Sequence, residues 1–212
     1  MTRSGQRPGH ERRRAGLARL VAAAVVTGAL AGCSSGPAPA PPPSPAPHPV
    51  TSPFTPAPGP GAVTWMLTRP ALAQMLSDPA ARSRLGRSRV YELLQPGQQP
   101  LSGVSAPLVV AFSSVGELRS ALSGPTLPPG TRAVLYDPEA WSFTPPAEQR
   151  DPVRAAEQAA ALAHAHGLKL IVAPALNLTT VLDPGGSRSR WRSYLDLGLA
   201  RSMAKVADVV EL

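Results

Sequence analysis

The sequence predicts an α/β domain built on a parallel sheet, and three observations carry that expectation. Short apolar runs rich in Val, Leu and Ile alternate with helical patterns along residues 62–212. The runs are continuous rather than alternating in polarity, as strands covered on both faces require. Each apparent strand is also followed by enough chain to cross over and return in the same direction, which parallel pairing demands.

The elements follow in chain order. Ala62 to Leu67 reads as a strand, and Arg69 to Gly86 as a helix broken or restarted by Pro79 after Asp78. Arg89 to Leu94 is a second strand, ahead of a loop holding Pro96, Gly97 and Pro100. Leu108 to Phe112 is a third. Behind it, Ser114 and Glu117 stand in capping-box spacing, opening a helix through about Ser123 that Gly124 closes. Arg132 to Tyr136 is a buried strand. The next helix has Asp151 as N-cap, Pro152 in its first position, an alanine-rich body from Ala155 to Ala165 and Gly167 as its stop. Leu168 to Ala173 returns to a strand, ended by Pro174. From Arg190 to Ala207 a single helix is expected to place Leu195, Leu199, Met203 and Val206 on one face. Val209 and Val210 begin a final strand. Because the pattern closes on a strand, a partial or truncated (β/α) barrel is the leading expectation, with an open doubly wound sheet as the alternative.

Ahead of this domain the composition changes twice. Residues 1–32 contain Arg3, Arg7, Arg12, Arg13, Arg14 and Arg19 with Glu11 as the lone acid, then an apolar run from Leu20 to Ala31. That run is shorter than the roughly 20 apolar residues a spanning helix needs, and it ends on small residues before Cys33. The tetrad Leu30, Ala31, Gly32, Cys33 resembles the lipobox of bacterial lipoprotein signal peptides. The resemblance implies cleavage before Cys33, acylation of its sulfur and a lipid-anchored position on the extracytoplasmic face of the membrane. The Arg13, Arg14 stretch also loosely resembles a twin-arginine signal, so the export route stays open.

Residues 33–61 form the second segment, the acylated cysteine and a tether. Twelve of the 27 prolines lie between Ser34 and Gly61, and such a run favours extended, solvated polyproline geometry with a reach on the order of 85 Å.

The formal charge of +8 misleads, because the first 32 residues hold five of those charges. Cleavage leaves 15 basic and 12 acidic residues, with three each of Phe, Tyr and Trp. A nucleic-acid partner is therefore not expected. Cys33 is the only cysteine, so no disulfide within the chain is available.

The residues Tyr136, Asp137, Pro138, Glu139, Ala140 and Trp141, with Thr144, Pro145, Glu148 to Pro152 and Ala173 to Leu176, resemble secreted actinobacterial proteins of unassigned function that look like (β/α) barrels. The similarity covers most of 62–212. It implies a barrel-like fold that continues beyond the last strand here, and it implies no known activity.

Chemistry in parallel α/β folds gathers at the carboxyl ends of strands. There the sequence places Ser113 and Ser114, then Asp137 and Glu139, then Asn177, Thr179 and Thr180, and finally Glu211. Asp137, Glu139 and Glu211 are the candidate catalytic acids, since glycoside hydrolysis uses one carboxyl as proton donor and another as nucleophile or base. Trp141 supplies a wall on which a sugar ring could stack, and Asn177 is a candidate ligand contact. A structural reading stands beside this one: Asp137 caps a turn at Pro138, Glu139 pairs with an arginine and Glu211 ends a strand.

His164 and His166, two apart on a helix, point to different faces and do not chelate one ion; they suit the dipole at a helix C-terminus. Gly185, Gly186, Ser187, Arg188 and Arg190 are read as a plain loop rather than an anion cradle. No metal or cofactor is expected. A lipoprotein of unassigned activity, non-catalytic as this chain stands, that binds an envelope ligand such as a glycan or protein, or nothing at all, is the leading functional expectation, and a glycoside-hydrolase-like enzyme is the alternative.

Overall fold

The computed structural model describes residues 52–186 and 189–211. The signal segment, Cys33 and the tether up to Thr51 lie outside the described residues, as do Ser187 and Arg188.

Six strands form one sheet in the order β1-β2-β3-β4-β5-β6, every pair parallel, and the sheet curls into a half-barrel. They are β1 (Thr64–Thr68), β2 (Arg89–Leu94), β3 (Leu108–Phe112), β4 (Thr131–Tyr136), β5 (Lys169–Val172) and β6 (Val209–Val210). Strand order follows chain order throughout. A doubly wound sheet reverses its order at a switch point, so sequential order decides for the partial (β/α) barrel.

Helices α1 (Arg69–Ser77) and α2 (Pro79–Gly86) connect β1 to β2. Asp78 divides them, as expected: its Oδ1 accepts from the Ala81 N–H at 2.7 Å, while Pro79 occupies the first position of α2. Helix α3 (Val115–Leu122) follows β3, and the Ser114 Oγ accepts from the Glu117 N–H at 3.1 Å. A cap of this kind is worth about 1 kcal/mol. The Glu117 carboxylate returns to the N–H of Ser113, one residue earlier than a regular capping box.

After β4 come α4 (Pro146–Arg150), which the sequence pattern does not suggest, and α5 (Pro152–Ala165). The ends of α5 match expectation, with Asp151 accepting from the Arg154 N–H and Gly167 at φ 68°. Between β5 and β6 lie a 3-10 turn at Leu176–Leu178 and three helices, α6 (Thr179–Leu182), α7 (Arg190–Leu197) and α8 (Leu199–Met203).

The single helix expected over Arg190–Ala207 is thus two. Gly198 sits between them at φ 60° and ψ 30°, the left-handed geometry that ends a helix. The break resets the helical phase. Leu199 and Met203 are buried, whereas Leu195, expected on the same face, is 50 % exposed.

Two apolar layers sandwich the sheet. On the outer side Val110, Phe112, Val134, Tyr136, Leu170 and Val172 pack against α3, the alanine face of α5 and Met203. Small alanines let α5 approach the strands closely, so this helix is covered without large side chains. On the inner side Val109, Ala111, Ala133, Leu135 and Ile171 meet Met66, Tyr91, Leu93 and Ala173.

Over β1 and β2 the outer layer is made differently, because residues 95–107 connect β2 to β3 without a helix. Leu101, Val104 and Ala106 from that connection pack with Leu72, Leu76, Leu85, Val90 and Phe54. Phe54, which the composition assigns to the tether, is 5 % exposed and bridges to Val104. The packed chain therefore begins ahead of residue 62.

Candidate functional site

The ladder continues one rung past the carboxyl ends of β4, β5 and β6. Asp137 donates its backbone N–H to Phe112 O at 3.0 Å, Ala173 to Tyr136 O at 3.1 Å and Glu211 to Val172 O at 2.9 Å. Successive strand residues face opposite sides. Leu135 and Ile171 face inward, so Asp137 and Ala173, two residues on, do as well. Val209 is paired with Ile171, which puts Glu211 on the same inner face.

Asp137, Ala173 and Glu211 thus form one row across three strands. With strands spaced ~4.8 Å apart, the two acids start from Cα atoms about 9.6 Å apart. The alanine between them adds only a methyl group to that row.

Glu139 joins this row from the loop after β4. Its Oε2 accepts from Asn177 Nδ2 at 3.0 Å, and the Asn177 Oδ1 accepts from the Ala140 N–H at 2.9 Å. Asn177 thus spends both ends of its amide bracing this loop from the 3-10 turn beyond β5. Among the described residues no arginine pairs with Glu139, contrary to the structural reading of this acid. The brace aims the Glu139 carboxylate rather than neutralising it.

The electrostatics confirm that the three acids share one region. Asp137 has its carboxyl pushed up to about 6, first by burial and then by repulsion from Glu139 and Glu211. Its neutral form therefore persists to a higher pH than that of an ordinary aspartic acid.

Beside the acids, Trp141 is 38 % exposed and meets Phe143 edge to face, with ring centroids 5.2 Å apart at 81°. Its indole N–H donates to Thr144 Oγ1 at 3.0 Å. Thr144, fully buried, also accepts from the Glu139 N–H and donates to Ser113 O. One hydroxyl therefore ties the loop after β4 to the end of β3 and orients both an acid and an aromatic wall. Gln149 adds a further hold, its Nε2 donating to the carbonyls of Trp141 and Thr144 at 2.7 Å each.

Glu148 completes the support from α4. It accepts from the Val115 N–H at the start of α3 and from the Tyr136 hydroxyl at 2.9 Å. Burial, and then Glu148, push the Tyr136 phenol upward, so it stays a neutral donor.

Thr144, Phe143, Glu148 and Gln149 are functional or supporting residues that site reasoning from sequence passed over. Thr144, Glu148 and Gln149 carry a signal only as members of the Tyr136 to Pro152 stretch, which forms one interlocked loop, and Phe143 carries none. No family model, curated protein or solved structure matches this chain. Its chemistry is therefore read from these side chains alone.

Other candidate positions have structural duties. His164 Nε2 lies 2.9 Å from Asp208 Oδ2, which also accepts from the Leu170 N–H, fastening α5 to the approach of β6. Thr179 and Thr180 donate to the carbonyls of Leu176 and Asn177. Gly186 closes a turn on Asp183, whose carboxylate accepts from Ser193, while Ser187 and Arg188 of the glycine-rich loop lie outside the described residues.

Among the described residues no group of three or more His, Cys, Asp or Glu side chains is disposed to hold a metal ion. No described helix is long and apolar enough to cross a membrane. A cavity of about 590 Å³ lies on the outer side of the sheet, lined by Pro96, Gly97, Phe112, Glu117 and Leu127 and not by Asp137, Glu139 or Glu211.

Proposed function

We propose that this protein is a lipid-anchored envelope protein whose half-barrel domain binds a glycan over the row Asp137, Ala173, Glu211 and cleaves its glycosidic bond. The observation that supports this most directly is the juxtaposition of Asp137, held toward its neutral form, with Glu139 and Glu211.

In this reading Asp137 donates its proton to the leaving glycosidic oxygen. Glu211, on the other side of Ala173, serves as nucleophile or as the base that activates water, and its flexible side chain reaches either separation that such pairs use. Glu139, aimed by Asn177, adds negative charge that stabilises the oxocarbenium-like transition state. Trp141 and Phe143 offer apolar faces to a sugar ring. The anchor rests on the Leu30 to Cys33 tetrad, and the extended tether after it supplies reach from the bilayer to the glycan.

The exposure of Glu211 favours a second reading, a glycan-binding domain without turnover, because a solvated carboxylate gains less from the site than an enclosed one. Incubating the purified protein with a panel of cell-envelope polysaccharides separates the two readings. Release of new reducing ends, lost in Asp137→Asn and Glu211→Gln, supports cleavage. Retention on a glycan without product, lost in Trp141→Ala, supports binding alone. If the protein neither cleaves nor binds any of the panel, the glycan assignment fails.

A further inference from the structure

A second buried acid lies far from this site. Glu92 sits on the outer face of β2 between Val90 and Leu94, and it is 0 % exposed. Its Oε1 accepts from the Leu101 N–H at 2.7 Å, while Oε2 is buried without any hydrogen-bond partner. A carboxylate accommodates about four hydrogen bonds and is costly to bury with one.

The same hydrogen bond anchors a chain of connections. Leu101 O accepts from Val104 N; Gly103 O accepts from the Phe54 N–H at 2.7 Å, and Phe54 O accepts from the Ser105 N–H at 2.8 Å. Phe54 is pressed under Arg82, whose guanidinium lies 5.4 Å from the ring centroid and donates to the carbonyls of Ser52 and Pro53. The strap through which the tether enters the domain is therefore held to β2 through Glu92 and residues 101–105.

We propose that Glu92 is a pH-sensitive latch: neutral, it holds the 95–107 connection and the Phe54 strap against the sheet, and on ionising it releases them so that water reaches its second oxygen.

The surroundings offer little to stabilise the charge. Strands β1 and β3 and residues 95–107 carry no ionisable side chain, and α1 carries only Arg69. On α2, Arg82 is engaged with the strap and Arg84 is exposed. Arg89 and Tyr91 of β2 alternate to the opposite face. The indole N–H of Trp65, on the same face of β1, is the other buried side-chain polar atom without a partner among the described residues and does not reach Oε2. Burial accordingly raises the carboxyl, outweighing the lowering effects of the Leu101 hydrogen bond and Arg69.

The sign follows directly. A raised acid stabilises the closed strap below its ordinary value of 4.5, and that stability is lost as pH climbs toward the folded value. Over that window each pH unit makes opening about tenfold easier.

Amide hydrogen exchange on the full chain, corrected for intrinsic rates and compared at pH 5 and pH 8, tests the latch. Residues 52–58 and 95–107 of the unaltered protein should be less protected at pH 8 than at pH 5, by about tenfold for each pH unit by which the folded value exceeds 5, with β4 unchanged, and Glu92→Gln should keep its protection at both. Equal protection at the two pH values in the unaltered protein, or an undiminished loss in Glu92→Gln, overturns the proposal. Where Glu92→Gln does not fold, carbon-13 titration of the Glu92 carboxyl in the unaltered protein decides: a midpoint above 4.5 that tracks strap opening supports the latch, and a midpoint at 4.5 overturns it.

Discussion

Replacing Asp137 by Asn should make the folded protein more stable at neutral pH while removing its proposed proton donor. The wild-type carboxyl moves from 3.8 to about 6 on folding. That shift is about two pH units, or about 3 kcal/mol at ~1.36 kcal/mol per unit. A raised acid favours the fold below its unfolded value, so wild-type stability falls as pH rises from about 3.8 to about 6 and then levels off. Asparagine reproduces the size of the neutral acid and does not titrate. At pH 4 the two proteins should differ by only about 0.5 kcal/mol, and at pH 7 Asp137→Asn should be the more stable by up to ~3 kcal/mol, or about 6 to 12 °C in Tm. Urea unfolding at pH 4, 5, 6 and 7 measures the divergence. Glu139→Gln and Glu211→Gln should each lower the Asp137 value without returning it to 3.8, because burial is the largest cause. The reasoning is refuted if Asp137→Asn runs parallel to wild type across this range, or if removing one neighbouring acid abolishes the whole shift.

Glu148→Ala should destabilise the domain by about 2 to 4 kcal/mol at pH 7, since it strands the buried Tyr136 hydroxyl and takes an acceptor from the start of α3; chemical denaturation checks this, and a Tyr136→Phe background should recover part of the loss. Cys33→Ser should move the protein from the membrane fraction to the soluble exported fraction, measured by fractionation and by loss of incorporated labelled palmitate.

Much of the fold was legible because its signals are local. Asp151, Pro152 and Gly167 mark the two ends of α5 by side-chain capping, a fixed proline φ and a left-handed stop. Leu108 to Phe112 and Arg89 to Leu94 needed only their run of strand-forming side chains between turns. The errors arose where local pattern competed with packing. A helical face from Leu195 to Val206 is continuous on paper, yet Gly198 interrupts the backbone that would carry it. Phe54 looks like part of a proline spacer until Arg82, Val104 and Leu76 supply a pocket for it.

The site divides in the same way. Asp137, Glu139, Trp141, Asn177 and Glu211 stand out in the sequence because each follows a strand. That reasoning could not show that Asn177 spends its amide on Glu139 and Ala140, or that Thr144 holds Trp141, since those contacts join residues brought together only by folding.

By itself, then, the sequence determined the alternation of strands and helices, the capping that bounds several of them, and which acids follow strands. Only the tertiary structure decided that the half-barrel has sequential strand order and that Asp137, Ala173 and Glu211 share one rung of its inner face. The physical reason is register. A slip of one residue in β6 would send Glu211 to the outer face, and nothing in its own short strand specifies the pairing that prevents this.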